Sequence, residues 1–337
     1  MINAGIIGGA GYTGLELVRL LLMHPEVKIS VVTSRRYKGK PINEINPHLS
    51  PFIELEYEDI DTKEIADRSD IVFVAVPHGS AMDYVPELLE RGVRAIDLSA
   101  DYRLKKEEYE RIYKRPHKDK DKEKRGAVYG LTELHPEVAD ANLVANPGCY
   151  PTGAILAAAP LVKEKEVNQV IFDAKSGISG AGAEPSETSH FPNLAENITP
   201  YQVTAHRHVA EMRMELGVKV SFTPHVIPAI RGILTTTHVF LNTEETKISE
   251  EIEETYKRFY KGTRFIRLRK GMPSLNSVRG TNFCDIGFEI EEKSNRIVVI
   301  SAIDNLVKGG SGQAIQNMNV MFGFDEEEGL WFPGLVP

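Results

Sequence analysis

The chain has 337 residues, of which 42% are hydrophobic and 26% are charged, so it is long enough for two domains with a sizeable core each. Its formal net charge of −8 argues against a nucleic-acid-binding protein, which is usually basic, and no apolar run approaches the length of a membrane span. The N-terminus shows no signal-peptide pattern, and the two cysteines lack metal-ligand spacing. We therefore expect a cytoplasmic protein with no metal site, no nucleic-acid partner and no membrane association.

A glycine-rich turn follows the first predicted strand, which spans residues 4–7. Gly8, Gly11 and Gly14 have the spacing Gly-x-x-Gly-x-x-Gly and precede an amphipathic helix predicted over 14–23. Glycines at such a turn permit close approach of a pyrophosphate, which the helix N-terminus then holds. An ordinary strand-to-helix turn has a similar composition, but the strand–helix context favours cofactor binding.

The end of the second predicted strand, residues 28–33, indicates which cofactor binds. NAD-specific sites usually carry Asp or Glu there to hold the ribose 2′-hydroxyl. This chain has Thr33-Ser34-Arg35-Arg36, whose hydroxyl and guanidinium groups suit a 2′-phosphate that a carboxylate would repel. The sequence therefore predicts NADP; the alternative is that the arginines are only solvated.

Strands alternate with helices through the rest of the first half. Strands are predicted at 71–76, 95–98 and 143–145, with helical stretches between them, for instance 81–91. This alternation predicts an α/β fold with a doubly wound parallel sheet of the Rossmann type.

Two further features lie in this half. Arg103 follows a strand end, where ligands bind in open α/β sheets, and is a candidate for binding phosphate or carboxylate or for pairing with Asp101. The mixed-charge stretch 105–125 is expected to be a solvated helix and surface loop.

The segment Asn146-Pro147-Gly148-Cys149-Tyr150-Pro151-Thr152 places a cysteine directly ahead of a helix predicted over 152–163. A thiol at a helix N-terminus ionises more easily, and the thiolate is the nucleophile. The free N–H groups there can also hold an oxyanion. The alternative is a small buried side chain at a turn.

After Cys149 the predicted strands become longer and more alternating. They lie at 170–175, 218–224, 234–242, 285–290 and 297–302, with few helices between them. This pattern predicts a mixed or antiparallel sheet in an α+β domain, with Cys284 in a strand core. A helix over 312–322 is expected to pack on the first domain. We therefore predict a cofactor domain of residues 1–148 with 307–337 and a catalytic and oligomerisation domain of residues 149–306.

A polar cluster, His206-Arg207-His208-x-x-Glu211, follows a loop at 185–200. On a helix, His208 and Glu211 share a face, so the carboxylate can orient the imidazole as an acid–base group. A polar surface is the alternative. The glycine-rich loops 175–182 and 308–313 are candidates for anion or cofactor contacts or are simple turns.

These residues carry a resemblance to a known family. The chain resembles N-acetyl-gamma-glutamyl-phosphate reductase of arginine biosynthesis over essentially its full length and, more distantly, aspartate-semialdehyde dehydrogenase. The shared segments are Gly8–Leu17, Asp97–Arg103, Asn146–Thr152, Asp173–Gly182, Tyr201–Glu211, Phe222–Thr235 and Ser301–Asn319. The aspartate enzyme's histidine follows an Arg…Gly motif, whereas Arg231-Gly232-Ile233 has none here. Its role should therefore fall to His206 or His208.

The resemblance implies that NADPH reduces a small-molecule acyl phosphate to a semialdehyde through a thioester on the cysteine. The implied catalytic residues are Cys149, His208, His206 and Glu211. Implied cofactor contacts are Gly8, Gly11, Tyr12, Thr13, Gly14, Ser34, Arg35, Gly177, Asn305 and Gly310. Implied substrate contacts are Arg103, Asn146, Ser176, Tyr201 and Arg231. A homodimer or homotetramer is implied as well.

Two other functions remain open from the sequence. One is the related lysine-pathway reductase, whose aminoadipyl phosphate substrate is linked to an acidic carrier protein; the overall acidity of this chain disfavours it. The other is a non-catalytic NADPH sensor, which would need the glycine turn but not Cys149 with the two histidines.

Overall fold

The computed structural model describes residues 1–241, 248–291 and 294–336 of the chain. They form two compact units, one of residues 1–147 and 310–331, the other of residues 148–309 with the C-terminal residues from 332 onward. Over the described ranges, no helix combines the length and the apolar character needed to cross a membrane.

The first unit is built on a sheet of seven parallel strands. They are β1 (Ile2–Ile7), β2 (Val27–Thr33), β3 (Tyr57–Glu58), β4 (Ile71–Val74), β5 (Arg94–Asp97), β6 (Val128–Tyr129) and β7 (Leu143–Ala145). Their order is β3-β2-β1-β4-β5-β7-β6. All of β4 is buried, as expected for an apolar strand covered on both faces. The order 3-2-1-4-5 is that of a doubly wound fold, which confirms the predicted parallel sheet.

Six helices belong to this unit: α1 (Tyr12–Leu21), α2 (Ile42–Ile45), α3 (Thr62–Asp67), α4 (Val85–Glu90), α5 (Lys106–Tyr113) and α11 (Gly312–Phe322). Helix α11 is buried along nearly its whole length, amide side chains included. Asn317 Nδ2 donates to the carbonyl of Gly130 at 2.9 Å and to Oδ1 of Asn146 at 3.0 Å. These bonds satisfy polar groups that would otherwise be costly to bury.

The prediction for the charged stretch 105–125 was wrong in part. Helix α5 and its flanks expose most of their charges, but His117, Asp119 and Lys122 are each less than 10% exposed. Asp119 Oδ2 accepts from the Tyr102 hydroxyl at 3.0 Å, and a ring nitrogen of His117 lies 2.9 Å from the carbonyl of Asp101. Such partners compensate the burial, and alternating charge along a sequence does not reveal them.

The second unit is built on a mixed sheet of seven strands. They are β8 (Val167–Gly177), β9 (Thr199–Pro200), β10 (Lys219–Ile227), β11 (Ile233–Leu241), β12 (Ile266–Leu268), β13 (Cys284–Glu291) and β14 (Arg296–Ile303). Their order is β12-β13-β14-β11-β8-β10-β9, with β8–β10 and β12–β13 parallel and the other pairs antiparallel. The predicted mixed sheet is confirmed. Asn242, the end of one predicted strand, lies outside the described residues.

The helices of the second unit are α6 (Cys149–Glu164), α7 (Phe191–Leu194), α8 (Val209–Leu216), α9 (Ile248–Phe259) and α10 (Leu275–Val278). Helix α6 begins three residues earlier than predicted and packs against β8, β11 and β14. Every residue from Tyr150 to Leu161 is buried. Cys284 is buried in β13, as predicted for a strand core.

Helix α6 contains a proline near its C-terminal end. Pro160 has no N–H, so the carbonyl of Leu156 loses its partner within the helix. The hydroxyl of Tyr260 donates to that carbonyl, and the hydroxyl of Tyr256 donates to the carbonyl of Ala157 at 2.5 Å. The Tyr260 hydroxyl therefore replaces the bond that Pro160 removes, and the Tyr256 hydroxyl binds the neighbouring carbonyl.

Candidate active site

Cys149 is the first residue of α6, and its side chain is partly buried. The first four N–H groups of a helix have no partner within the helix and carry a partial positive charge. A thiol at this position is more readily ionised. Pro151 in the first turn has no N–H, so the N–H groups of Cys149 and Tyr150 are the candidates for holding an oxyanion that forms beside the sulfur.

Neighbouring groups fix the position of Cys149. The carbonyl of Gly148 accepts from the backbone N–H and the hydroxyl of Thr152, at 3.1 and 3.0 Å. The N–H of Gly148 donates to Oε2 of Glu211 at 3.0 Å. A Cβ atom built on Gly309 would lie 2.9 Å from Cβ of Cys149. The start of α6 is thus held by a buried carboxylate, and residue 309 has to be small for the cysteine to fit.

A pocket of about 370 Å³ in the second unit contains the Cys149 side chain in its lining. Six residues singled out in the sequence line it together: Cys149, Ser176, Gly177, Tyr201, His206 and His208. Tyr150 and Arg207 line it as well; both lie within the motifs around Cys149 and the two histidines, but these motifs predict no role for them. The structure therefore places the candidate nucleophile and both candidate acid–base residues around one pocket.

Tyr150 is at the centre of an aromatic cluster in this pocket. Its ring meets those of His206, His208 and Phe222 edge-on, at centroid distances of 5.6, 6.0 and 5.2 Å. Its hydroxyl accepts from the hydroxyl of Tyr201 at 3.0 Å. Burial raises the pKa of both tyrosines. Both therefore stay neutral phenols near pH 7, and the cluster fixes the two imidazoles by packing.

His206 is held in its neutral form. Burial, and secondarily the charge of Arg207, lower the pKa of His206 to about 4. Its Nδ1 atom accepts from the backbone N–H of His208 at 3.2 Å, so the single proton of the neutral ring is on Nε2. A base with so low a pKa is poorly matched to proton transfer at neutral pH. This favours His208 as the residue that exchanges protons.

The low pKa of His206 predicts a pH-dependent stability. The unfolded chain binds a proton on this histidine below its ordinary pKa of 6.5, whereas the folded chain binds it only below about 4. The free energy of unfolding should therefore decrease as the pH falls from 6.5 to 4, by up to about 3 kcal/mol. Denaturant unfolding at pH 7.5 and pH 4.5 measures this change. The decrease in the free energy of unfolding should be smaller in His206→Asn than in the wild type. In His190→Asn, which replaces an exposed histidine, it should equal that of the wild type. An identical change in all three proteins would contradict the prediction.

His208 lies just before the helix on which the sequence predicted it, and Glu211 lies within that helix. Helix α8 starts at Val209, so His208 occupies the N-cap position with a helical backbone (φ −68°, ψ −13°). Glu211 is fully buried in the first turn. That Glu211 orients His208 stays a prediction. The carboxylate of Glu211 also accepts from the N–H of Gly148, a contact that the sequence does not predict.

The three glycines of the first turn differ in their surroundings. Gly8 has φ +91°, and a Cβ on it would lie 2.3 Å from the carbonyl oxygen of Ala75. A Cβ on Gly14 would lie 2.2 Å from the carbonyl oxygen of Gly8. Gly11, the exposed N-cap of α1, would meet no heavy atom within 4 Å. Packing within the chain thus explains Gly8 and Gly14, whereas Gly11 leaves the helix N-terminus open to a phosphate group.

The other predicted cofactor residues of the first unit lie close to this turn in sequence or by contact. The exposed Tyr12 opens α1, and the carbonyl of Thr13 accepts from the hydroxyl of Ser311 at 2.8 Å. At the end of β2, the Thr33 hydroxyl accepts from the N–H of Gly8 at 3.2 Å. The C-terminal end of β2 therefore adjoins the glycine turn.

Ser34 and Arg35 follow β2 directly. Ser34 is buried, and its hydroxyl accepts from the N–H of Tyr37 at 3.2 Å. Arg35 is exposed and donates to the hydroxyl of Tyr84 at 2.8 Å. The exposed guanidinium of Arg36 lies 5.3 Å from the ring centroid of Tyr37. This edge of the sheet carries hydroxyls and cations where an NAD site usually carries a carboxylate.

Arg103 and Asn146 are buried in the first unit. Arg103 donates to the backbone carbonyls of Asn146 at 2.7 Å and Leu98 at 2.9 Å. The side chain of Asn146 donates to the carbonyl of Gly310 at 3.1 Å and accepts from Asn317 at 3.0 Å. Both predicted substrate residues thus help to hold the segment that leads to Cys149, and a substrate contact for them stays a prediction.

Asn305 and Arg231 connect loops of the second unit. Asn305 accepts from the N–H of Gly232 at 2.7 Å and donates to the hydroxyl of Ser179 at 2.9 Å. The guanidinium of Arg231 lies 3.5 Å from the Asp304 carboxylate. Neither Asn305 nor Arg231 is among the described residues that line the pocket. Their predicted cofactor and substrate roles also stay predictions.

Two family models match the chain. Residues 3–141 match the semialdehyde dehydrogenase NAD binding domain, and residues 149–305 match the semialdehyde dehydrogenase dimerisation domain. The match to the first model fits the open helix N-terminus at Gly11 and supports a nicotinamide cofactor.

Known proteins resemble the chain in sequence and in fold. N-acetyl-gamma-glutamyl-phosphate reductase of Methanothrix thermoacetophila is 59% identical over 345 residues, with all of both chains covered. Aspartate semialdehyde dehydrogenase II of Vibrio cholerae superposes with a TM-score of 0.74 at 17% identity, covering 96% of this chain and 99% of that one. The Candida albicans aspartate semialdehyde dehydrogenase with NADP gives 0.72 at 16% identity, covering 96% and 98%. The two solved structures show the likeness in fold.

Proposed function

Since this chain belongs to the N-acetyl-gamma-glutamyl-phosphate reductase family, we propose that it reduces N-acetyl-gamma-glutamyl phosphate to N-acetylglutamate semialdehyde and releases phosphate. The family resemblance predicted from the motifs is confirmed, and the chain is an oxidoreductase of the semialdehyde dehydrogenase type. The observation that carries the proposal is a helix-terminal cysteine lining one pocket with two histidines. The reaction would belong to arginine biosynthesis.

The first step is acyl transfer to Cys149. The thiolate attacks the acyl carbon, and the electron pair of the carbonyl moves onto oxygen. Backbone N–H groups at the start of α6 are suited to hold that oxyanion. Collapse of the oxyanion breaks the bond between carbon and the phosphate oxygen, so phosphate leaves and a thioester remains. Sulfur suits this step because a thiolate is both a strong nucleophile and a good leaving group.

The second step returns the thiolate. When bound, the reduced nicotinamide supplies a hydride, which converts the thioester into a thiohemiacetal once a proton is added. We assign the proton exchange to His208 and its orientation to Glu211, with His206 as the alternative base or a substrate contact. Loss of the hydroxyl proton then breaks the carbon–sulfur bond and releases the aldehyde. Buried Tyr150 keeps both imidazoles in place through edge-on contacts.

We propose that the first unit binds the cofactor and the second carries the chemistry. In the first unit, Gly11 leaves the N-terminus of α1 open for the pyrophosphate. In the second, the family model over residues 149–305 is a dimerisation domain. This supports a homo-oligomer, for which we propose a homodimer or homotetramer.

We further propose that NADPH is the natural cofactor, because hydroxyl and guanidinium groups follow β2. Ser34→Asp should lower kcat/KM with NADPH by at least about tenfold, since a carboxylate repels the 2′-phosphate. Aspartate can keep the hydrogen bond from the N–H of Tyr37, so the turn should persist. Steady-state assays with NADPH and NADH measure the effect, and Ser34→Ala is the matched neutral control. A clear wild-type preference for NADH would overturn the assignment.

The substrate is tested directly. Purified protein is assayed with N-acetyl-gamma-glutamyl phosphate and, separately, with the carrier-linked aminoadipyl phosphate of the lysine pathway. We expect efficient turnover of the first alone. Turnover of the carrier-linked substrate alone would reassign the enzyme, and turnover of neither, with NADPH still bound, would favour a sensor.

A further inference from the structure

We propose that Arg207 binds the α-carboxylate of the acyl substrate and so distinguishes it from acyl phosphates that lack this group. The inference rests on the proposed function, since that substrate carries a free carboxylate besides its phosphate. Neither the family motifs nor the spacing of the histidines assigned a role to this arginine.

The charge inventory of the pocket is the first observation. Of the described residues that line it, Arg207 is the only Lys or Arg, and none is Asp or Glu. Most of the others are small, hydroxyl-bearing or aromatic. His206 is neutral near pH 7 because burial depresses its pKa. A substrate with two anionic ends therefore meets one permanent cation in this lining, and guanidinium is well suited to carboxylate.

The placement of Arg207 is the second observation. It stands between two histidines that are each 7% exposed, while its own side chain is exposed. Its carbonyl accepts from the N–H of Ala210 at 3.4 Å, and that of His206 accepts from the N–H of Val209 at 3.1 Å. The backbone is thus fixed in a turn at the start of α8. Arg207 therefore combines a fixed backbone with an exposed side chain, and it belongs to the lining of the pocket.

The electrostatic influence of Arg207 agrees with this placement. After burial, the Arg207 charge is the further cause that lowers the pKa of His206. Burial raises the pKa of Tyr201, and the Arg207 charge opposes that rise. The Arg207 charge thus acts on two rings that line the same pocket.

The carboxylate is favoured over the phosphate for a chemical reason. Phosphate is bonded to the carbon that Cys149 attacks, so it has to lie beside the sulfur and the N–H groups at the start of α6. The carboxylate is separated from that carbon by a chain of three carbon atoms. An exposed cation in the lining matches this distal end, and the helix N-terminus matches the proximal one.

The reverse reaction separates the two anions, because the semialdehyde carries the carboxylate and inorganic phosphate is a second substrate. Arg207→Gln should raise KM for N-acetylglutamate semialdehyde about 10- to 100-fold and leave KM for inorganic phosphate within about twofold. For Arg207→Lys, KM for the semialdehyde should lie between those of the wild type and Arg207→Gln, because lysine keeps the charge but loses the planar fork of the guanidinium. Arg111→Gln is the matched control. It removes an equally positive, 68% exposed side chain from α5 and should change neither KM.

A semialdehyde whose α-carboxylate is replaced by a neutral amide sharpens the test. The wild type should use it poorly, and Arg207→Gln should impose little further loss on it. Unchanged KM for the semialdehyde in an active Arg207→Gln enzyme would overturn the inference while leaving the proposed function intact. A selective rise in KM for phosphate would overturn it in favour of phosphate binding. Failure of the wild type to oxidise the semialdehyde would refute the proposed function itself.

Discussion

Replacing Cys149 with serine is expected to abolish turnover, by on the order of 10³-fold or more, while the fold and cofactor binding persist. The serine hydroxyl is barely ionised near pH 7, even at a helix N-terminus, and an alkoxide is a poorer leaving group than a thiolate. Serine is close in size to cysteine, so the tight fit against Gly309 should be kept. Steady-state rates, circular dichroism and NADPH titration report chemistry, fold and binding separately.

Cys284 provides the internal control for this experiment. It is fully buried in β13, so Cys284→Ser should lower stability somewhat but leave kcat close to wild type. A thiol reagent should inactivate the wild type rapidly and substrate should protect it, because Cys149 is the partly exposed cysteine of the two. Turnover by Cys149→Ser within a few-fold of wild type would refute the assignment of the nucleophile.

The two histidines are expected to respond differently to the same substitution. His208→Asn should slow the chemical step by about 10²- to 10⁴-fold, the usual contribution of a general acid or base. His206→Asn should mainly raise KM, because burial and Arg207 keep that imidazole neutral far below pH 7. Pre-steady-state measurements across pH 5 to 9 separate the chemical step from binding. Only His208→Asn should remove the pH dependence of the chemical step.

His206 and His208 are similarly buried, so each variant serves as the control for the other. Both histidines are 7% exposed and both pack edge-on against Tyr150, so their loss should disturb packing to a similar degree. A difference in chemical rate between the variants therefore reports role rather than folding. If His206→Asn abolished the rate and its pH dependence while His208→Asn left both unchanged, the two assignments would exchange. If both variants kept the wild-type rate, the base would lie elsewhere.

The elements that the sequence predicted well are those with a strong local signal. The glycine turn, the apolar strand β4 and the helix that begins near Cys149 follow from spacing and periodicity over a few residues. The helix starts three residues before Thr152. N–H groups in the first turn have no partner within the helix, so Pro151, which has no N–H, is tolerated there.

The features that the sequence did not reveal depend on contacts between distant residues. Glu211 accepts from the N–H of Gly148, 63 positions earlier in the chain. The neutrality of His206 comes from burial, which no local pattern records. The sequence does not predict roles for Tyr150 and Arg207, because an aromatic beside a cysteine and an arginine between two histidines have ordinary local explanations. Only the fold brings them to one pocket.

The two tyrosines that donate to carbonyls of helix α6 have a consequence for mutational tolerance. The element that carries Cys149 at one end depends, near its other end, on hydroxyls that Tyr256 and Tyr260 supply to carbonyls close to Pro160. The residues between the two ends are buried and closely packed, so a shift at the distant end is transmitted along the helix rather than absorbed by local rearrangement. A screen for inactive alleles should therefore recover changes along the whole of α6 and at its two tyrosine partners. Loss of activity in such an allele can result from misplacement of Cys149 as readily as from loss of a catalytic group. Substitutions that loosen the core around α6 are therefore not expected to raise the reaction rate.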